Sequence, residues 1–274
     1  MQRASRTATA SPLLLAALLA WCPPALAHGD LHDQIEAVTA QLRSRPHAEL
    51  FHKRGELRRA HGEYAAALVD YARALRLDDR LNVVYLSRGR ALLEAGRAAR
   101  AIASLSRFLL LHPDHEQALL LRARARAQLR RHAEAEADFA ALLACAADPI
   151  PDLFLESAAN LASSGQHEQA LAVVEAGLGR LGALVVLEHA ALELELALGR
   201  WPAALARIDR LLAAAARKES LLARKAEILE LTGDAAAAAA VRSAALAQLV
   251  ALPRSKREVP AMQRLEQALR AHGP

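Results

Sequence analysis

Large apolar residues recur along the chain at intervals of about 34 residues. One bulky series is Phe51, Tyr85, Leu119, Phe154 and Leu222, and a second is Tyr71, Leu105, Phe139, Val174 and Ile208. Small residues follow the first series four places later, at Gly55, Gly89, Ala123, Ala158 and Ala226. Small residues suit places where two helix backbones approach closely, and bulky ones fill the space between helices. A period of this length is typical of stacked helical repeats.

A further series indicates a turn in the middle of each repeat. It consists of Gly62, Gly96, Arg130, Gly165, Gly199 and Gly233, separated by 34, 34, 35, 34 and 34 residues. Alanine stands five places after each, at Ala67, Ala101, Ala135, Ala170, Ala204 and Ala238. Glycine permits the left-handed backbone that ends one helix and turns the chain into the next. Each repeat is therefore predicted to be a helix-turn-helix unit.

This pattern resembles the tetratricopeptide repeat (TPR), which reads roughly W-x2-LG-x2-Y, then A-x3-F, then P over 34 residues. The resemblance covers about residues 48–250. Within the family, the chain is most similar in type to secreted bacterial TPR proteins. It implies an all-α, right-handed superhelical solenoid of about six TPR-like repeats with capping helices at both ends. The predicted repeats are residues 48–81, 82–115, 116–150, 151–184, 185–218 and 219–250.

Two repeats depart from the pattern. In the fifth, Leu187, Ala191 and Leu194 indicate a one-residue slip of the first helix, and the sixth is nearly polyalanine from residue 235 to 240. Both flanks are predicted to be capping helices, because a solenoid otherwise exposes its end faces. In residues 28–47, Asp30 is predicted to cap a helix whose apolar stripe is Ile35, Val38 and Leu42. In residues 251–274, Pro260 is predicted to start a helix carrying Met262, Leu265 and Leu269.

Residues 1–27 have the features of a secretory signal peptide. Arg3 and Arg6 precede a short apolar run at 13–21, and small residues at Ala25 and Ala27 favour cleavage after Ala27. The run is shorter than the roughly 20 apolar residues that span a bilayer, although an uncleaved anchor is the alternative. Cys22 follows Trp21 rather than a small residue, so lipidation is not expected. We expect a periplasmic or secreted protein without stable membrane insertion after cleavage.

Composition and charge agree with this interpretation. The chain is 54% hydrophobic but only 3% aromatic, as expected where small apolar residues dominate helix packing. The formal charge of +5 falls to +3 when Arg3 and Arg6 leave with the signal peptide. This is mild, so nucleic acid is not an expected partner. Cys145 is the remaining cysteine after cleavage and has no partner for an internal disulfide.

Motifs for catalysis or a cofactor are missing from the sequence. It contains no CxxC, HExxH, calcium-loop or phosphate-loop spacing, and Cys145 has no identifiable base. Glu193 and Glu195 are predicted to lie on different faces of one helix and are interpreted as helix surface. We therefore predict no enzymatic activity and no cofactor.

Histidines provide the alternative function. A terminal His28 offers an amino group and an imidazole to copper or nickel, and His32 offers a second imidazole. The alternative is therefore a periplasmic metal-handling protein that binds the metal through this segment. His112 and His115 are interpreted as residues of a turn.

The resemblance also implies that the first helix of each repeat lines a concave groove that binds a protein or peptide partner. The positions predicted to face the groove are His52, Glu56, Arg59, Leu86, Arg90, Leu93, Leu120 and Arg124. Leucines beside arginines suit a partner with apolar anchors and a carboxylate. A Lys/Asn clamp of one TPR subclass is missing, since its places hold His52, Glu56, Ser87, Gln117 and Leu121. Arg54, Arg88 and Arg122 precede the small column and are predicted to have buried stems and paired or solvated heads.

Overall fold

A computed structural model describes residues 25–271, with side chains from Asp30 onward. These residues form fifteen α-helices and no β-strand, which confirms the all-α prediction. None of the helices in residues 25–271 is long and apolar enough to cross a membrane. The chain divides into two compact units, of which the first ends at Leu111 and the second begins at His112.

The first unit contains one flanking helix and two helical hairpins. They are α1 (Ala25–Ser44), the hairpin of α2 (Ala48–Ala60) and α3 (Tyr64–Leu77), and the hairpin of α4 (Val83–Glu94) and α5 (Ala98–Leu109). Helix α1 packs on α2 and buries the predicted stripe of Ile35, Val38 and Leu42. The predicted N-cap at Asp30 is wrong, because Asp30 lies inside α1 and accepts a hydrogen bond from Gln34 at 3.1 Å. Alanine and leucine favour the helical conformation, and the helix includes the predicted cleavage position after Ala27.

The second unit contains four hairpins and a C-terminal pair of helices. The hairpins are α6 (Glu116–Gln128) with α7 (His132–Cys145), α8 (Pro151–Ser163) with α9 (His167–Leu181), α10 (Val185–Ala197) with α11 (Trp201–Ala214), and α12 (Glu219–Leu231) with α13 (Ala235–Val250). They are followed by α14 (Arg254–Arg257) and α15 (Pro260–Ala271). Helix α15 packs on α12 and α13 through Leu265 and Leu269. It therefore covers the end of the last hairpin.

The turn inside each hairpin has a left-handed residue at the predicted position. The glycine φ angles are 85° at Gly62, 71° at Gly96, 80° at Gly165, 68° at Gly199 and 82° at Gly233. Arg130 takes the same place in the third hairpin with φ 56°. Because a side chain in this region is sterically strained, Arg130 adopts a conformation that glycine would adopt at lower energy.

The core of each hairpin is formed where the small and bulky columns meet. The alanines five places after the turn are all buried, with exposed fractions of 0% or 1%: Ala67, Ala101, Ala135, Ala170, Ala204 and Ala238. A Cβ atom on Gly55 would lie 2.6 Å from the Tyr71 ring, and one on Gly89 would lie 2.6 Å from Leu105 Cγ. A Cβ atom at either place would force the facing side chain to shift, so glycine lets the two helices approach this closely.

The fifth hairpin keeps the common register, so the predicted one-residue slip is wrong. Helix α10 occupies the same part of its repeat as α8, and its Leu187 and Ala191 are buried like their counterparts Leu153 and Ser157 one repeat earlier. The bulky place of Phe154 is instead taken by Glu188. The carboxylate of Glu188 accepts a hydrogen bond from Arg207 at 2.5 Å. An ion-paired glutamate therefore stands where a bulky apolar residue is expected. Because of this change, the apolar pattern of the sequence looks as if it were shifted by one residue.

Candidate partner-binding site

The first helices of consecutive hairpins lie side by side and form what we call the first-helix face of each unit. In the first unit this face joins α2 to α4. His52 Nε2 lies 2.9 Å from Ser87 Oγ, and Arg59 donates to Glu94 at 2.9 and 3.2 Å. Glu56 accepts a hydrogen bond from the hydroxyl of Tyr71 at 2.5 Å. Three of the predicted groove residues therefore belong to one polar network.

The charges in this network are fixed by their surroundings. Burial raises the pKa of the Glu56 carboxyl, but the Tyr71 hydroxyl and Arg59 together outweigh it and hold that pKa below its usual range. Burial lowers the pKa of His52, against the opposing charge of Glu56. Burial and the hydrogen bond to Glu56 both raise the pKa of Tyr71. At neutral pH the network thus holds an ionised Glu56 beside a neutral His52.

The remaining predicted groove residues of the first unit differ in how far they reach solvent. Leu86 is only 8% exposed, so its side chain packs in the interior and is not available as a surface anchor. Leu93 and Arg90 are half-buried. The Arg90 side chain makes no hydrogen bond or ion pair to a residue that the structure describes.

In the second unit, Arg124 is already engaged by a carboxylate. Its Nε and Nη2 atoms donate to the two oxygens of Glu156 at 2.8 and 2.6 Å, joining α6 to α8. The hydrogen bond to Glu156 raises the pKa of Arg124 although burial opposes it. Leu120 is partly buried and packs against Ala123, Ala135 and Phe139. A partner carboxylate would have to displace Glu156 to reach Arg124.

A cleft of about 490 Å³ lies next to this ion pair, between α6 and α8. Its walls carry Arg124 and Glu156, its small side chains are Ala127 and Ala159, and Phe139 lines it from the second helix. Ala159 is exposed. Small side chains at such a place let the main chain of a ligand come close to the helices.

Polar groups at one end of the cleft are held in fixed positions. Asn160 is only 5% exposed, and its Nδ2 donates to the main-chain oxygen of His132 at 3.0 Å. Asn160 Oδ1 lies 2.9 Å from His132 Nδ1. The ring of His132 and the Ser163 side chain also line the cleft. An ordered polar end beside small apolar walls suits a peptide segment, whose main chain needs both hydrogen bonds and close contact.

A second cleft of about 400 Å³ occurs between α10 and α12. It is lined by Leu196, Trp201, Ile228, Leu231 and the ion pair of Arg224 with Glu227. Leu231 is 66% exposed. Its apolar side chains are larger than the alanines of the first cleft. Along the second unit, the first-helix face therefore offers one cleft with small walls and one with large apolar side chains.

The sequence predicts Arg124 on this face but not the residues around it. Glu156, Asn160, His132 and Trp201 were not predicted to line the face. One signal was present, because Arg124 and Glu156 lie one repeat apart on first helices, allowing for a small difference in register. Periodicity locates a face, but it does not report which polar side chains on that face pair with each other.

Metal and nucleophile chemistry find no support in the part of the chain that is described. Residues 30–271 contain no group of three or more His, Cys, Asp or Glu side chains placed to hold a metal ion. His32 Nε2 lies 3.4 Å from Glu36, while the side chain of His28 and the predicted signal peptide up to residue 24 lie outside the described residues. Burial and the nearby Glu116 and Asp114 raise the pKa of the Cys145 thiol, which disfavours a thiolate.

The hairpins define a helical-repeat protein, and comparison with solved structures gives its fold. A tetratricopeptide repeat protein from Parabacteroides merdae matches with a TM-score of 0.53 and 19% identity, covering 89% of this chain and 94% of that chain. YrrB, a TPR protein with an unusual peptide-binding site, matches with a TM-score of 0.53 and 13% identity, covering 73% of this chain and 97% of that chain. The fold is therefore that of tetratricopeptide repeat proteins, as the sequence pattern predicts.

A larger assembly contains a similar arrangement. The structure of Naa15/Naa10 bound to HypK-THB matches with a TM-score of 0.59 and 17% identity, covering 89% of this chain and 39% of that chain. No protein-family model and no curated protein matches the chain. At these identities the likeness concerns the fold alone.

Proposed function

We propose that this protein is an extracytoplasmic scaffold or assembly factor whose first-helix face binds an extended segment of another protein. The observation that carries the proposal is the cleft between α6 and α8, where small walls adjoin the fixed polar groups of Asn160 and His132. Solved structures of similar fold include a TPR protein with an unusual peptide-binding site and the complex of Naa15/Naa10 with HypK-THB. The proposal assigns binding to this face and no reaction.

The ion pair of Arg124 and Glu156 determines which segments fit. Because its two charges neutralise each other, the cleft does not require a terminal carboxylate or a strongly charged ligand. An uncharged extended segment hydrogen-bonds through its main chain to the polar end of the cleft at His132, and its small side chains lie against Ala127 and Ala159. The cleft beside Trp201 then accepts a larger side chain elsewhere along the same partner.

The extracytoplasmic location rests on the sequence of residues 1–27. The positive start, the short apolar run and Ala25-Leu26-Ala27 support export and cleavage after Ala27. Intact mass and N-terminal sequencing of protein recovered from the cell envelope test this step. A chain starting at His28 is expected, and a lipid-modified start at Cys22 would contradict it.

Filling the cleft tests the binding step. Ala159→Trp places a large side chain in the cleft from an exposed position, so the fold is expected to remain intact. A photo-crosslinking residue at position 159 first identifies the partner in the native envelope, with the exposed position 140 on α7 as the matched control. Ala159→Trp is then expected to weaken that partner at least about tenfold, a loss of about 1.4 kcal/mol. Ala140→Trp is expected to leave affinity unchanged. Equal binding by both variants would place the site elsewhere.

A further inference from the structure

Arginines of the first helix are held by an aspartate of the second helix in two hairpins. In the first hairpin, Arg54 Nε and Nη2 donate to the two oxygens of Asp70 at 2.8 and 2.7 Å. In the third, Arg122 makes the same two bonds to Asp138 at 3.0 and 2.7 Å. Both aspartate side chains are almost fully buried, and each stands at the same spacing from its arginine. Both hairpins thus hold a buried carboxylate at the same position of the second helix.

The second hairpin keeps the arginine but has no aspartate. Arg88 stands in the place of Arg54 and Arg122, and Ser104 stands in the place of Asp70 and Asp138. Ser104 is only 5% exposed, and its hydroxyl makes no hydrogen bond to any described residue. The half-buried side chain of Arg88 also lacks a hydrogen-bond or ion-pair partner among the described residues. The second hairpin therefore has an arginine and a buried hydroxyl at the two positions where the other two hairpins have an arginine and a carboxylate.

The second helix of this hairpin adds positive charge beside Ser104. Arg100 and Arg107 lie at spacings that place them on the same side of α5 as Ser104, and Arg97 is the residue just before this helix. All three are exposed, and their side chains pair with no described residue. Across residues 83–109 the single acidic residue is Glu94, which already accepts from Arg59. The flank of α5 thus carries arginines that have no internal counterion among the described residues.

We propose that this flank of the α4–α5 hairpin binds an acidic segment of a partner protein. One carboxylate of the segment accepts the forked donors of Arg88 and the hydroxyl of Ser104, in the place that Asp70 and Asp138 occupy in their hairpins. Further carboxylates pair with Arg97, Arg100 and Arg107, which span about 15 Å along the helix. The site is separate from the clefts of the first-helix face, so the two proposals stand or fall independently.

A carboxylate is favoured over a phosphate by comparison with the first and third hairpins. The same frame holds a carboxylate in two other hairpins of this chain, with both guanidinium donors satisfied. The ligand is therefore inferred to be an acidic peptide.

The test uses a fluorescent peptide of alternating glutamate and glycine, with anisotropy measured against the full chain at low and physiological salt. The parent is expected to bind, and Arg88→Met is expected to weaken binding at least about tenfold, as expected for the loss of charge-assisted hydrogen bonds. Ser104→Asp supplies the carboxylate within the chain. It is expected to abolish peptide binding and to raise the melting temperature, a combination that simple damage to the fold does not give.

Exposed positions keep the test informative if Ser104→Asp misfolds. Arg100→Met with Arg107→Met changes only exposed side chains and is expected to weaken peptide binding, while the exposed Arg45→Met serves as the matched control with no effect. Unchanged binding by Arg88→Met and by the double variant would overturn the proposal. A single-stranded oligonucleotide that binds more tightly than the peptide and is lost in the same variants would overturn the choice of a carboxylate ligand, as would competition by millimolar inorganic phosphate.

Discussion

Arg207 donates to both carboxylate oxygens of Glu195, from Nε at 2.9 Å and from Nη2 at 2.8 Å, within the fifth hairpin. The same two places of the first hairpin hold Arg58 and Asp70, at the same spacing but with the charges exchanged. Burial lowers the pKa of Arg207, but its hydrogen bonds to Glu195, Glu188 and Glu175 outweigh this effect and raise that pKa above its ordinary value. Both hairpins therefore have an ion pair between these two positions, but the acidic and the basic residue are exchanged.

Removing Arg207 is expected to be strongly destabilising. Arg207→Met would leave Glu195, whose side chain is 6% exposed, without its cation, and Glu188, 13% exposed, with only the exposed Arg210. Breaking a buried ion pair from one side costs about 3 to 5 kcal/mol. Urea unfolding followed by circular dichroism measures the loss. Arg210→Met is the control, since that side chain is 57% exposed and lies 3.6 Å from Glu188, and a change below about 0.5 kcal/mol is expected.

The exchange of charges shows which parts of the fold can be predicted from the sequence. Helix number, turn positions and small columns follow from periodicity, because each repeat must pack against similar neighbours. Glu188 and Glu195 break the apolar pattern, so the sequence predicts a slip and an ordinary surface position for Glu195, and both predictions are wrong. Their burial depends on Arg207, which lies on the next helix. A buried charge can be recognised only together with its partner, and the spacing shared with Arg58 and Asp70 was the available signal.

The same limit applies to the first-helix face. Arg124 pairs with Glu156 between the third and fourth hairpins, whereas Glu193 pairs with Arg224 between the fifth and sixth, at the corresponding places and again with the charges exchanged. When the column of positions equivalent to Arg124 is considered alone, it predicts an arginine that is available to a ligand. Considering two columns one repeat apart would predict the pairs. Leu86 illustrates a different limit, since helical spacing alone does not distinguish an inner from an outer leucine.

Two glycine positions provide a paired test of packing. Gly89→Ala places a methyl group 2.6 Å from Leu105 Cγ, whereas Gly179→Ala on α9 has no neighbour within 4 Å. Overpacking costs about 1 to 3 kcal/mol, and alanine returns up to about 1 kcal/mol in a helix. Gly89→Ala is therefore expected to lower the free energy of unfolding by about 1 kcal/mol, as measured by urea titration. Gly179→Ala is expected to raise it by about 0.5 kcal/mol. Two changes of the same sign would contradict the packing account.

Arg130 is expected to be replaceable with a gain in stability. Its φ of 56° is left-handed, where a residue with a Cβ atom is less stable than glycine by about 1 kcal/mol. Arg130→Gly should raise the free energy of unfolding by about 0.5 to 1 kcal/mol. The reverse change Gly96→Arg, at φ 71° and with nothing close to the glycine, should lower it by a similar amount. Thermal melting of both variants against the parent measures the two shifts.

Tyr71 links the stability of the first hairpin to pH through Glu56. Its hydroxyl donates to Glu56 at 2.5 Å and helps to hold the Glu56 pKa below its ordinary value. A lowered carboxyl pKa adds stability above the unfolded pKa of about 4.3, and that stability is lost as the pH falls through the folded value. Tyr71→Phe removes the donor and is expected to cost about 1.5 to 3 kcal/mol at pH 7. Because protonated Glu56 no longer needs this donor as strongly, the difference from the parent should shrink below about pH 4.

Tyr85→Phe is the matched control for this effect. Tyr85 lies on α4 of the same unit, and its hydroxyl makes no hydrogen bond to a described residue, so its removal is expected to change stability by less than about 0.5 kcal/mol at every pH. Urea titrations between pH 3 and pH 8 compare both variants with the parent. The sign of the pH dependence is decisive, since a loss of packing alone would be the same at all pH values. A Tyr71→Phe deficit that stays constant from pH 7 to pH 3 would show that the hydroxyl acts through packing and not through the charge of Glu56.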